Sequence, residues 1–221
     1  MTISARALAA SLLRRPRVVT RATGRPSAIA LTFDDGPSPW TAAIAAALEA
    51  HGCRGTFFLL GSAVQQRPEV VAALAAAGHE LGNHLWSHAD PLRLSRAAIR
   101  AEIDRAAAAI GAAAGAPPLL LRPPYCGAPR AVARAAQGGA ARLVVLRSVD
   151  PADWSTDSAA EIVERVLSRA QPGDIVCLHD GVAPTNTGTD TRAATVAAVT
   201  QLVPALLQRG LRPVTVSELL A

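Results

Sequence analysis

Lysine is absent from this 221-residue sequence: all 22 basic side chains are arginine, against 17 acidic ones, for a formal charge of +5. With 49 alanines beside them, the arginines read first as the mark of a GC-rich gene; selection for binding phosphate or carboxylate is the other reading. Aromatic residues make up 3% of the chain, too few for base-stacking platforms along a single strand. The arginines are scattered except near the start, so no nucleic-acid partner is expected. Cysteine is scarce as well. Cys53, Cys126 and Cys177 lie 73 and 51 residues apart, which fits neither a disulfide framework nor a zinc knuckle, so reduced thiols in a cytoplasm are expected. No apolar run reaches the roughly 18 residues of a membrane span, and no like-charge block reaches five residues. Stable membrane insertion and intrinsic disorder are both excluded on that basis.

What is present is enough for one core. Residues 1–27 hold six arginines and no acid. Arg6 comes early and Arg14 and Arg15 interrupt the apolar run that begins at Ala7, so this segment is expected to be an arginine-rich arm or surface helix, not a cleaved export signal. Residues 28–221 are expected to form a single domain, and the protein to be a cytoplasmic monomer.

From residue 28 onward, short β-type runs alternate with alanine-rich helical stretches. AIALTF (28–33), GTFFLL (55–60), LLL (119–121), LVVLRSV (143–149) and DIVCL (174–178) read as buried strands, each flanked on at least one side by Gly, Pro or Asp. Residues 40–50, 68–77, 95–113, 159–170 and 191–209 read as helices. Ser95 and Ser158 stand where N-caps belong, and Gly52, Gly78 and Gly210 where helices stop. Such alternation predicts parallel βαβ units. Polar residues gather where strands end: Asp34 and Asp35, His84 after HELGN, Arg122, Asp150 and Asp153, and His179. In parallel α/β folds that end is where loops converge on a site. So many strands aimed at one rim favour a barrel over an open sheet, and the length favours a shortened or distorted one.

Five motifs offer chemistry. In Thr32-Phe33-Asp34-Asp35-Gly36-Pro37, two carboxylates forced into a turn point different ways, so one can hold a metal while the other faces a reacting water; an ordinary DG turn is the plainer alternative. In His84-Leu85-Trp86-Ser87-His88, the i, i+4 spacing predicts one face of a helical turn and a shared metal. With Asp35 this makes two imidazoles and a carboxylate, the three-ligand pattern that leaves a position open for water. His179-Asp180 offers a proton donor, and Asp150-Pro151-Ala152-Asp153-Trp154 the carboxylate that would hold its tautomer. In Arg122-Pro123-Pro124-Tyr125, the prolines stiffen a loop from which Arg122 can grip a carboxylate bidentately, Asp34 being the expected one.

Taken in this order, TFDDGP, HxxxH, RPPY, DxxDW and the strand-terminal His resemble the motifs of the polysaccharide deacetylases, the nodulation-type or family 4 carbohydrate esterases, over about residues 28–216. The resemblance implies a TIM-like, distorted (β/α)7 barrel that removes acetyl groups from sugar polymers with one divalent metal ion, Zn2+ first, with Co2+ or another first-row metal also suited. It implies Asp35, His84 and His88 as metal ligands, Asp34 as general base and His179 as general acid. Arg122 would orient Asp34 and Asp153 would tune His179. Pro123 and Tyr125 would contact the substrate, the Tyr125 backbone N–H helping to hold the oxyanion, while Trp154 and Leu178 would wall the pocket for the acetyl methyl group.

Three positions depart from the family pattern. Leu85 stands where a Ser or Thr usually steadies the loop, Cys126 intervenes in RPPYG, and Cys177 replaces a Leu. SVDPADWS, QPGDIVCLHDG and LVPALLQRG look most similar to chitooligosaccharide deacetylases, which implies an N-acetylglucosamine oligomer as substrate. Peptidoglycan, a glycolipid or an acetamido-sugar natural product are the alternatives within the chemistry. A non-catalytic sugar-binding protein is the alternative outside it, although no acid, base or ligand is missing.

Overall fold

The run AIALTFDDG forms the central strand, β2 (Ala28–Gly36), buried along almost its whole length. Such continuous burial belongs to a strand covered on both faces. In the computed structural model, which describes residues 15–184, 188 and 191–221, every strand pairing is parallel. The other strands are β1 (Arg17–Val19), β3 (Thr56–Leu59), β4 (Glu80–Asn83), β5 (Leu120–Leu121), β6 (Leu143–Val145), β7 (Ile175–His179) and β8 (Arg212–Val214). The helices are α1 (Thr41–Glu49), α2 (Gly61–Gln66), α3 (Pro68–Ala76), α4 (Arg96–Ala114), α5 (Pro129–Ala135), α6 (Ala159–Leu167), α7 (Ala193–Gln208) and α8 (Val216–Leu220).

Strand order β1-β6-β5-β4-β3-β2-β7, with β8 added beside β2, makes a distorted seven-stranded barrel. Its circle is completed by single pairs, Val149 with Val176 and Arg21 with Asp174, and not by a continuous ladder. The interior is filled by Ala30, Phe58, Leu120, Val145 and Ile175, with Val216 and Leu219 of α8 packed against them. Gly82 lies opposite Phe58 in the β3/β4 register. A methyl group there would stand 2.3 Å from the ring, so only glycine lets Phe58 occupy this layer. A larger core packs α1, α3, α6 and α7 against the outer faces of the strands.

The helix signals hold in detail. Ser95 and Ser158 accept from Ala98 N and Glu161 N, and Gly52, Gly78 and Gly210 adopt positive φ. Other expectations change. Residues 17–19, assigned to an arm or surface helix, form β1 and pair with β6; the expectation for residues 1–14 lies outside the described residues. α2, α5 and α8 are too short to show a periodicity, and β4 carries Glu, Gly and Asn, which no strand propensity selects. Among the described residues no helix is long and apolar enough to cross a membrane, and the three cysteines are free.

Candidate active site

The barrel rim holds a cavity of about 280 Å³ lined by residues of all five motifs together with Cys126 and Cys177. Arg122 does not line the cavity but is fully buried, and its guanidinium lies 4.1 Å above the Phe58 ring. Arg122 Nη1 donates to Asp34 Oδ1 and Thr32 Oγ1, each at 2.7 Å, while Nε and Nη2 donate to the carbonyls of Val145 and Leu146. The grip on Asp34 is therefore single, not the bidentate one expected, because Nε and Nη2 are turned to carbonyls at and just beyond the end of β6. Burial alone would raise the Asp34 pKa; the charges of Arg122, His84 and His179 outweigh it and hold the carboxyl at about 2. Asp34 is thus a carboxylate with Oδ1 tied down and Oδ2 turned to the cavity side.

Asp34 sits in register with His179 on the neighbouring strand. His179 Nδ1 lies 2.7 Å from Asp153 Oδ1, and its backbone N donates to Asp153 Oδ2, which also accepts from Thr195 Oγ1. Burial opposes the imidazolium, but Asp153 foremost, with Asp35 and Asp34, raises the His179 pKa to about 9. The strand tips that carry this pair nearly touch. A Cβ on Gly181 would stand 2.1 Å from the Asp35 carbonyl oxygen, and Asp180 N and Gly181 N both donate to Asp34 O.

The third group is Asp35, His84 and His88, all buried, with donor atoms within 4.8 Å of one another. His84 Nε2 and His88 Nε2 lie 3.5 and 3.4 Å from Asp35 Oδ1. That oxygen is the one buried side-chain polar atom without a hydrogen-bond partner among the described residues. An orphaned carboxylate oxygen facing two imidazoles is what a cation site looks like from its ligands. His84 Nδ1 is 2.7 Å from the Arg122 carbonyl oxygen, a contact of the kind that orients a metal-binding imidazole. Burial lowers the His88 pKa to about 4 despite the Asp35 charge, so this ring is neutral, with a lone pair to give, at ordinary pH.

The histidines converge for a reason other than the one their spacing suggests. Residues 84–90 contain no helical turn; Leu85 and His88 take left-handed φ of 67° and 60°. The loop is shaped by Asn83, whose Oδ1 accepts from Leu85 N, and by Glu102 of α4, whose Oε2 accepts from Trp86 N, Ser87 N and Ser87 Oγ. Leu85, fully buried against Ile99, Ile103 and Leu121, anchors by packing at the position where the family pattern carries a hydroxyl. Removing the carboxylate in Glu102→Ala is expected to weaken metal binding by about 10–100-fold while leaving the helical circular dichroism unchanged; unaltered affinity in a Zn2+ titration would show that the loop holds its shape without it.

Two expected substrate contacts move. Leu178 points away from the cavity into the core behind the sheet, because side chains alternate along β7 and His179 faces in; its neighbour Cys177 lines the cavity instead. Pro123 is buried and stiffens the loop without lining the cavity. Tyr125, 55% exposed, and Trp154, 36% exposed, do line it, and the Tyr125 ring meets His88 edge-on at 4.9 Å. Three residues gained no role from sequence. Asp180, next to His179 in the motif, is fully buried and ties the exit of β2 to α1 through Gly36 N and Thr41 Oγ1. Arg147 pairs with Asp150 at 2.7 Å on the cavity wall. Arg192, buried, donates to the Gly181 carbonyl.

Residues 21–142 match the family described as polysaccharide deacetylase. A chitooligosaccharide deacetylase of Sinorhizobium fredii is 38% identical, over 88% of this chain and 92% of its own. A peptidoglycan-N-acetylglucosamine deacetylase of Bacillus cereus is 37% identical, over 87% of each. Among solved structures, that of a peptidoglycan N-acetylglucosamine deacetylase superposes with a TM-score of 0.83 at 29% identity, covering 93% of each chain.

Proposed function

Because this chain belongs to the polysaccharide deacetylase family, we propose that it is a metal-dependent hydrolase that removes the N-acetyl group from N-acetylglucosamine units of a chitooligosaccharide-like substrate, releasing acetate. The observation that carries the reading is the meeting, in one cavity, of an arginine-held carboxylate, a carboxylate-held imidazole and the Asp35, His84 and His88 cluster around an orphaned oxygen.

Asp35, His84 and His88 would hold the ion. When bound, a divalent metal there supplies a Lewis acid for the acetamide carbonyl and makes the attacking water more acidic. Asp34 Oδ2 accepts the proton of that water as it adds to the carbonyl carbon, and Arg122 keeps the carboxylate aimed and ionised. The C–N bond then breaks as His179 delivers a proton from Nε2 to the departing nitrogen, which would otherwise leave as a poor, anionic group. Asp153 holds Nδ1 and so fixes which nitrogen faces the substrate. The Tyr125 backbone is assigned to the developing oxyanion, and the exposed Tyr125 and Trp154 rings to the sugar.

The acid must be protonated to act, so kcat/KM is expected to fall as pH rises through about 9, where His179 loses its proton. In Asp153→Asn the raising charge is gone while the amide still accepts from Nδ1. The alkaline limb should then move down toward the ordinary histidine value of about 6.5. A pH profile of the variant that keeps the wild-type limb would remove Asp153 from this role.

The decisive assay is acetate release by metal-loaded and chelator-treated protein on chitooligosaccharides, peptidoglycan fragments and acetylated xylan. Metal-dependent acetate from chitooligosaccharides is the expected result. Preference for peptidoglycan fragments would move the substrate toward that of the Bacillus cereus relative, at nearly the same identity as the rhizobial one. Sugar binding without acetate from any substrate would make the chain a binding protein.

A further inference from the structure

Asp34, Cys177 and His179 form a second group of metal donors, their donor atoms within 4.8 Å of one another. Asp34 and His179 each offer the atom that their positioning partner leaves over, and Cys177 Sγ, which donates to Asp34 Oδ2 and accepts a long contact of 3.7 Å from Arg122 Nη1, completes the set. Asp34 gives Oδ1 to Arg122 and retains Oδ2, His179 gives Nδ1 to Asp153 and retains Nε2, and Cys177 Sγ lies 3.4 Å from Asp34 Oδ2. The sheet builds this group directly. Asp34 is in register with His179 and Thr32 with Cys177, and the two-residue period of β7 puts Cys177 and His179 on one face.

We propose that this group is an inhibitory site for a second, thiophilic divalent ion such as Zn2+ or Cd2+. Zinc binds carboxylate, imidazole and thiolate at about 2.0–2.3 Å, which spaces the donors of a tetrahedral shell at roughly 3.3–3.8 Å. The sulfur–oxygen separation of 3.4 Å already lies in that range. Carboxylate, imidazole and thiolate together select zinc-like ions over hard cations such as Mg2+. Asp153 behind His179 supplies the backing contact that orients a ligating imidazole. On binding, the S–H bond of Cys177 gives way to a sulfur–metal bond, and the thiol proton, with any proton on Nε2, passes to solvent without change of oxidation state. Asp34 Oδ2 is also 3.9 Å from His84 Nε2, so the second ion sits beside the first and does not replace it. It blocks the two atoms through which protons move. The binding stands on the geometry alone, whereas the inhibition rests on the roles proposed for Asp34 and His179.

The test is a Co2+ titration of metal-free protein, with turnover of a chitooligosaccharide followed in parallel. The first equivalent should give visible d–d absorption without a sulfur-to-cobalt charge-transfer band, and the highest turnover. The second should bring in that near-ultraviolet band while turnover falls. In Cys177→Ala and Cys177→Val the band should be missing, and the Zn2+ needed to halve each variant's own one-equivalent rate should rise at least about 100-fold. No band in the wild type, unchanged Zn2+ sensitivity in both variants, or a second equivalent that speeds turnover would each overturn the proposal. A sulfur band at the first equivalent would instead count against the Asp35, His84 and His88 assignment. Absence of turnover on every substrate would count against the deacetylase reading, with the band still reporting on this site.

Discussion

In Asp34→Asn, kcat is expected to fall by about 10²–10⁴-fold, the usual contribution of a general base, with metal content still near one ion per chain. The asparagine oxygen can still accept from Arg122 Nη1, which bonds Asp34 Oδ1 at 2.7 Å, so the side chain keeps its place while losing the capacity to take a proton. Burial against a fully enclosed arginine is why the substitution must be this conservative. Asp34→Ala would strand a buried guanidinium at a cost of about 3–5 kcal/mol, and lost activity would then report on folding. Circular dichroism and metal analysis of the asparagine variant decide the matter. Full turnover would place the base elsewhere, and loss of the first metal equivalent would make Asp34 a ligand.

The second large effect separates ligand from acid. His84→Ala removes one of the two imidazoles facing Asp35 Oδ1 and is expected to lose both the metal and turnover, down to the level of chelated protein. His179→Ala should keep the metal and lose about 10²–10⁴-fold in kcat on the N-acetyl sugar. An activated aryl acetate distinguishes the two without structural work, since aryloxide departs unprotonated. His179→Ala should hydrolyse that ester at close to the wild-type rate and His84→Ala should not. Metal loss from His179→Ala would reverse the assignments of acid and ligand.

These variants test residues that were all visible in the sequence, because strand ends announce themselves. AIALTF and DIVCL are apolar runs closed by acids or histidine, and parallel strands bring such ends to one rim. What was hidden lay in pairings that no local pattern encodes. The spacing of His84 and His88 is that of a helical turn, yet Glu102, lying 15 residues beyond Ser87 in sequence, bends the segment into a loop with two left-handed residues. Leu178 and Cys177 exchanged places in the reading because a two-residue period must be counted from a residue whose face is known, and His179 supplied that face only once β7 was paired with β2. β1 escaped notice because three residues of strand inside an arginine-rich stretch have no pattern of their own; the edge of β6 gives them a partner.

The barrel closes through single pairs at Val149 with Val176 and Arg21 with Asp174, whereas β2 is laddered to β7 through five residue pairs and to β3 through four. Local opening follows the places where fewest bonds must break together. Amide protons of Ser148 and Val149, which donate across the seam to Ile175 O, should therefore exchange with deuterated solvent well before those inside the β3-β2-β7 ladder. The base and the acid ride on the slowly exchanging part, so the barrel can breathe along its seam without altering their spacing.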